Sequence, residues 1–334
     1  MAGQVIGIVG GSGLYDLDGL TDKRWQRVAS PFGEPSDELL FGNLDGQPVV
    51  FLPRHGRGHR VPPHEINFLA NIDALKRAGV TTVVSVSAVG SLREDLPPGT
   101  FVLVDQFVDR TLRRPKSFFG SGVVAHVSMA HPTCGRVLDA LATTATGLGV
   151  KAVRGGTYVV MEGPQFSTKA EAEVHRKLGC DVVGMTNMPE AKLAREAELC
   201  YATIAMVTDF DCWHPDHDHV QVDTVLAVFK ANAQHARELV RGVVPRLAAH
   251  EGLCPHGCAR ALEYAVMTAP EARDRALVEK LDAVAGRVLR SKGDAVPPSP
   301  GGDEWGRERS ELRGSAHEAA AERAQRASRG EEDR

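Results

Sequence analysis

The sequence predicts an α/β protein: a mixed, mostly parallel sheet core flanked by helices, in one domain with a disordered C-terminal tail. Three observations predict it. Short β-branched runs alternate with amphipathic segments at helical spacing, the rhythm of strands joined by crossover helices. Several runs end directly in glycine, hydroxyl or acidic residues, as strands do where an open sheet turns its C-terminal edge to a ligand. A chain of 334 residues is also long enough to bury one large core.

The first strand covers Val5 to Val9 and runs into Gly10-Gly11-Ser12-Gly13, where backbone amides and the Ser12 hydroxyl suit a single phosphate. The spacing is not G-x-G-x-x-G, so a dinucleotide-dependent oxidoreductase is disfavoured. Val49 to Leu52 is a second strand. It leads into Pro53-Arg54-His55-Gly56-Arg57-Gly58-His59-Arg60, in which Arg54 offers a planar fork to phosphate oxygens and His55 a further donor. Glu65 to Ala78 is an amphipathic helix. The strand from Thr82 to Val86 ends in Ser87-Ala88-Val89-Gly90-Ser91-Leu92, small residues and hydroxyls that would form an oxyanion site if they converge with an arginine.

Arg136 to Leu148 is helical, and Thr157 to Met161 is a strand closing in Glu162-Gly163-Pro164-Gln165-Phe166-Ser167-Thr168. Phe166 is placed to stack on a flat heterocycle, and a Ser or Thr caps the next helix, Lys169 to Leu178. The strand Asp181 to Met185 ends in Thr186 ahead of the helix Pro189 to Glu198. Ala202 to Val207 ends in Thr208-Asp209-Phe210-Asp211-Cys212-Trp213, where alternation sets Asp209 and Asp211 on one side of the strand's mouth. A long helix follows from Asp223 to Ala248. Residues 1–258 thus form the main domain. A helical extension covers 259–291, with Leu277, Leu281, Val284 and Val288 at helical spacing, and a charged tail covers 292–334.

A formal charge of −4 gives no basic field for nucleic acid, and no apolar run has the length of a membrane span. The expected partner is a small molecule. Val5 to Val9 begins almost at once without a signal-peptide pattern, and six scattered cysteines suit reduced thiols, so a cytoplasmic location is expected. Cys254 and Cys258 flank His256 at metal-ligand spacing, but no second ligand pair follows; His214, His217 and His219 are a weaker cluster. No metal site is expected.

Taken together, Gly10-Gly11-Ser12-Gly13-Leu14, Arg54-His55-Gly56, Ser87 to Leu92, Glu162 to Ser167 and Thr208 to Trp213 resemble the trimeric nucleoside phosphorylases, and among them the 5′-methylthioadenosine phosphorylases. The resemblance spans roughly residues 4 to 250 in the same order. It implies a homotrimer that needs no metal or organic cofactor, with purine nucleoside and inorganic phosphate as its substrates. The implied reaction is phosphorolysis of 5′-methylthioadenosine to adenine and 5-methylthioribose 1-phosphate, in purine and methionine salvage.

By the same resemblance Ser12, Arg54, His55, Ser87, Ala88 and Thr186 hold phosphate. Met185 lies against the ribose, Phe166 packs near the base, and Asp209 is the proton donor, with Asp211 and Ser167 supporting the base edge. Val222, Val225 and Leu226 would form an apolar pocket for a methylthio group, completed by His126 of a neighbouring subunit. An acid at 209 suits a 6-aminopurine; the rivals are a 6-oxopurine nucleoside or methylthioinosine phosphorylase and a non-catalytic purine-binding protein.

Overall fold

In the computed structural model, residues 4–11, 14, 17–215 and 222–290 are described. The strands are β1 (Val5–Gly10), β2 (Leu20–Gln26), β3 (Leu39–Leu44), β4 (Gln47–Pro53), β5 (Val80–Ser91), β6 (Phe101–Val104), β7 (Gln106–Asp109), β8 (Ala152–Arg154), β9 (Thr157–Val160), β10 (Val182–Gly184) and β11 (Cys200–Asp209). The helices are α1 (Phe68–Arg77), α2 (Gly135–Leu148), α3 (Lys169–Lys177), α4 (Asn187–Glu196), α5 (Val222–Ala248), α6 (Arg275–Lys280) and α7 (Asp282–Leu289). All the strands and helices read from periodicity are present, with ends shifted by a few residues. β2, β3, β6, β7 and β8 were not anticipated.

β1 and β11 are buried along nearly their whole length, as unbroken apolar runs are when helices cover both faces of a parallel sheet. The sheet runs β2-β3-β4-β1-β5-β10-β9-β7, with β11 also on β5, β6 on β11 and β8 on β6. Pairings of β1 with β4 and β5, β11 with β5, β9 with β10 and β7, and β6 with β8 are parallel. Antiparallel pairing joins β2 to β3, β3 to β4, β10 to β5 and β6 to β11.

The strand that positions the site is β5. One of its edges is occupied by β11 from Thr82 to Gly90. The other edge is paired with β1 only as far as Ser85 and with β10 only from Gly90 onward. Between them, Val86 to Val89 face no strand on that edge, and a gap opens in the sheet. Helices α2 and α5 pack over the core, with Ile204, Val84, Val137 and Val243 in one contiguous apolar cluster.

α3 begins at a capping box in which the Thr168 hydroxyl accepts from the Glu171 amide and the Glu171 carboxylate accepts from the Thr168 amide. Thr168, not Ser167, is therefore the cap, which leaves the Ser167 hydroxyl for other partners. The segment after α5 folds back onto the domain: Arg77 of α1 pairs with Asp73 and with Asp282 of α7, and Arg287 pairs with Glu198. The chain through Arg290 packs as one unit. The expected tail, 292–334, lies outside the described residues. Among the described residues no helix is long and apolar enough to cross a membrane.

Ile204 is fully buried at the centre of β11, so Ile204→Ala should lower the unfolding free energy by about 2–5 kcal/mol. Chemical denaturation measures this, and a loss well under 1 kcal/mol would mean that the strand relaxes around the deletion.

Candidate active site

At the gap in the sheet lies a cavity of about 620 Å³. Val86, Ser87, Ala88, Val89 and Gly90 form its floor. From Ser87 to Gly90 the strand advances about 10 Å, roughly the length of a nucleoside. Hydroxyls and cations stand at the Ser87 end and two carboxyls at the Gly90 end. Met161, Pro164, Phe166, Val183 and Met185 make apolar walls between them.

Arg54 is brought to the first end by β4, whose last residue precedes it, and its side chain is buried. Its guanidinium is largely committed. Nε and Nη2 donate to the two carboxylate oxygens of Glu190 at 2.8 and 3.1 Å, Nη2 also to Ser85 Oγ at 2.5 Å, and Nη1 to the Val86 carbonyl at 3.1 Å. The fork foreseen for a phosphate is held by Glu190 instead. What remains for the cavity is the second N–H of Nη1.

Behind this pair runs a buried polar network. Asn187 Nδ2 donates to the oxygens of Tyr201, Thr203 and Ser85, and its Oδ1 accepts from Ser87 at 3.0 Å and from Thr186 at 3.5 Å. The Tyr201 hydroxyl donates to Glu190 at 2.9 Å. Ser87 and Thr186 therefore reach the cavity with their rotamers fixed from behind. Ala88 has no polar side chain, so any hydrogen bond it makes to a ligand must be through its backbone.

His55 lines the same end, stacked on His59 with ring centroids 4.3 Å apart. Burial and the neighbouring Arg54 charge hold its pKa down at about 4. At neutral pH the ring is neutral. With Nδ1 against the Val61 carbonyl at 2.9 Å, the proton sits on Nδ1 and Nε2 is a bare acceptor. That reverses the donor role expected from sequence.

At the other end, Asp209 ends β11 and Asp211 follows in a left-handed turn, φ +53°. They share the cavity because of that turn and a bulge between Val207 and Asp209, rather than by strand alternation. Gly90 makes room: a Cβ there would stand 2.9 Å from Asp209 Oδ1 and 3.3 Å from Asp211 Cβ. Burial raises the Asp209 pKa, opposed by hydrogen bonds from the Thr208 hydroxyl and the Asp211 amide, each 2.7 Å long.

Burial pushes the Asp211 pKa up to about 6, with the Asp209 charge adding to it and the Ser167 hydroxyl opposing. Asp211 Oδ2 is buried without a hydrogen-bond partner. Trp213 anchors the turn from outside, donating Nε1–H to the Ser91 carbonyl at 2.7 Å beneath the Arg176 guanidinium.

Of the other residues expected here, Phe166 and Met185 line the cavity, with Phe166 partly exposed. Ser167 lies beside Asp211. Ser12 lies outside the described residues, as do the side chains of Val222, Val225 and Leu226 at the start of α5. His126 is exposed and lines no part of this cavity. His217 and His219 lie outside the described residues, while His214 packs on the Phe210 ring.

Glu190, Asn187, Tyr201 and Arg114 went unread in the sequence. Arg114 binds the Met185, Met188 and Glu162 carbonyls at 2.6–2.7 Å and so ties together the ends of β9 and β10. The one available signal was that acidic and amide residues interrupt the otherwise mixed pattern of α4.

Residues 5–245 match the phosphorylase superfamily, to which the chain belongs. The chain is similar to the S-methyl-5′-thioadenosine phosphorylase of Cereibacter sphaeroides, at 60% identity over 286 residues, 86% of this chain and 99% of that protein. Its counterpart in Rhodospirillum rubrum is 59% identical over 85% of this chain and 97% of that protein. Among solved structures, a methylthioadenosine phosphorylase from an antarctic soil metagenomic library superposes with a TM-score of 0.80. It is 45% identical, over 85% of this chain and 99% of that chain. The Schistosoma mansoni methylthioadenosine phosphorylase, solved in complex with adenine, does so at 0.69 and 40% identity, over 74% and 93%.

Two predictions follow from the electrostatics. Glu190→Gln leaves the buried Arg54 charge unpaired and should cost about 3–5 kcal/mol of stability; a melting temperature unchanged from the parent would show that the charge finds other compensation. For Asp211 the sign is set by a pKa raised from 3.8 to about 6 on folding. The stability it contributes is full below its unfolded value and lost as pH rises through about 6, a loss of up to about 3 kcal/mol. Asp211→Asn should therefore be more stable than the parent at pH 8, by about 1–3 kcal/mol, and equal to it at pH 4. Parallel pH–stability curves for the two proteins would contradict this.

Proposed function

We propose that this chain catalyses phosphorolysis of 5′-methylthioadenosine, giving adenine and 5-methylthioribose 1-phosphate in purine and methionine salvage. The observation that carries the reading is one cavity with hydroxyls and an arginine at one end and two buried carboxyls of raised pKa about 10 Å away. The similarity to methylthioadenosine phosphorylases among relatives and solved structures supports it.

Phosphate lies against Ser87, Ala88, Thr186, Ser12 and the free Nη1 donor of Arg54. Neutral His55 accepts the remaining P–OH hydrogen of a hydrogen phosphate dianion. A phosphate oxygen attacks the anomeric carbon as the bond to purine N9 breaks, and the electron pair of that bond passes into the base. The developing charge is quenched by a proton on N7 from the acid pair, with Asp209 as the donor and Asp211 beside it. Burial, which raises the Asp209 pKa, favours the protonated form that this task needs. Once ionised, the same group accepts from an exocyclic amine, which favours adenine over a 6-oxopurine. Phe166 packs on the base, Ser167 supports its edge and Met185 lies against the ribose.

The 5′ end is read by Val222, Val225 and Leu226 and by His126 of a second copy, so the working form is a homotrimer in the cytoplasm. His126 is exposed in the single chain, as such a role requires. Neither metal nor organic cofactor enters the reaction; phosphate is the co-substrate.

The test is release of free base, with and without phosphate, from methylthioadenosine, adenosine, methylthioinosine and inosine side by side. Phosphate-dependent adenine release, fastest from methylthioadenosine, is expected. Hypoxanthine released faster than adenine would move the chain to a 6-oxopurine enzyme, and no release would sink the catalytic reading. Asp209→Asn should lower turnover on the aminopurines by about 10²–10⁴-fold, and unaltered turnover would remove Asp209 as proton donor.

A further inference from the structure

Four cysteines meet at the opposite end of β11 from the acid pair. Cys134 immediately precedes α2, Cys200 opens β11, and Cys254 and Cys258 lie on the turns that follow α5. Their Sγ atoms all lie within 4.8 Å of one another, and those of Cys134 and Cys254 are 3.5 Å apart. Sulfurs bound to one tetrahedral zinc at about 2.3 Å stand about 3.8 Å from each other. The four thiols are therefore within a small contraction of a tetrathiolate site. The sequence shows only the Cys254–Cys258 pair, with no second pair after it; the fold supplies the second pair from far upstream. His256 is not part of the set, because its ring packs over Gly135, where an added Cβ would meet it at 2.7 Å.

The surroundings fit a bound cation. Four thiolates around a divalent ion leave a net charge of −2, and two guanidiniums face the cluster. Arg136 approaches Cys200 and Cys254, and Arg195 Nη1 lies 3.7 Å from Cys258 Sγ. The Nε atoms of both arginines are buried without an acceptor, and metal-bound thiolates accept hydrogen bonds from such outer groups. Cys134 stands at the N-terminus of a 14-residue helix, whose dipole favours a thiolate. Small apolar volume alone would call for no such cations beside it.

We propose that Cys134, Cys200, Cys254 and Cys258 bind one structural zinc ion that fastens the segment after α5 to the start of β11 and to α2. Four S–H bonds are replaced by four S–Zn bonds and four protons pass to solvent, with no change of oxidation state. All four positions on the metal are filled by protein, so the ion has no open position for chemistry. About 30 Å of strand separates it from Asp209.

The experiment is elemental analysis of the full chain purified under reducing, anaerobic conditions, followed by replacement of the metal with cobalt(II). About one zinc per chain is expected, as is a cobalt spectrum with intense thiolate charge-transfer bands and tetrahedral ligand-field bands. Cys254→Ser/Cys258→Ser should abolish both while base release persists in whatever fraction folds, and Cys180→Ser should keep both. If the double variant does not fold, metal content and cobalt spectrum of the parent decide alone. Zinc far below one per chain with six titratable thiols would overturn the proposal. So would thiols lost to disulfides without metal, or zinc retained by the double variant.

Discussion

A strand can be paired on each edge by only one neighbour at a time, and β5 has two claimants for the same edge. β1 runs parallel to it and β10 antiparallel, and they meet it at different heights. The four residues left between them pair with neither strand on that edge. A ligand can reach main chain there without breaking a ladder. Everything else in the cavity is arranged around this break: β4 delivers Arg54 beneath it, α4 brings Glu190 and Asn187 behind it, and the turn after β11 swings the two acids over its far end.

Charge is handled differently at the two ends. At the hydroxyl end a buried arginine is matched by a buried glutamate, so that pair adds little net charge and leaves oriented polar groups facing the cavity. A fully free guanidinium would bind phosphate more strongly in the ground state, but only interactions that grow toward the transition state accelerate the reaction. At the acid end neither carboxyl makes a salt bridge among the described residues. Burial raises the pKa of both, and the Asp209 charge adds to the shift of Asp211. The two ends thus separate a neutralised buried cation from two buried acids along one strand.

The strands read correctly from sequence are those with unbroken or alternating apolar runs, because burial on two faces writes itself into composition. β2, Leu-Thr-Asp-Lys-Arg-Trp-Gln, is an exposed edge strand whose partner is β3 alone, so its polarity hides it. The strands β7 and β8 are three or four residues long, held by pairing rather than propensity. Loop chemistry was legible: Arg54, His55, Ser87, Thr186, Asp209 and Asp211 all reach the cavity. Their partners were not, since Glu190 meets Arg54 across 136 residues and nothing local in α4 announces it. The same blindness reversed the hydrogen-bonding sense of His55, which depends on the Val61 carbonyl and on burial.

The cysteines show the limit from the other side. Spacing identifies ligands that lie close in sequence, and Cys254 and Cys258 do. Cys134 and Cys200 carry no such signal; each reads as a small buried residue beside a strand or helix. They converge because the amide of Cys134 is bonded to the Tyr201 carbonyl at 2.7 Å, which fixes the entry to α2 against the start of β11. The N-terminal end of that strand therefore joins α2 to the C-terminal segment, while its other end carries the acids. A tie at the first end would hold β11 and α5 in place without touching the cavity, so changes there should appear in stability before they appear in chemistry.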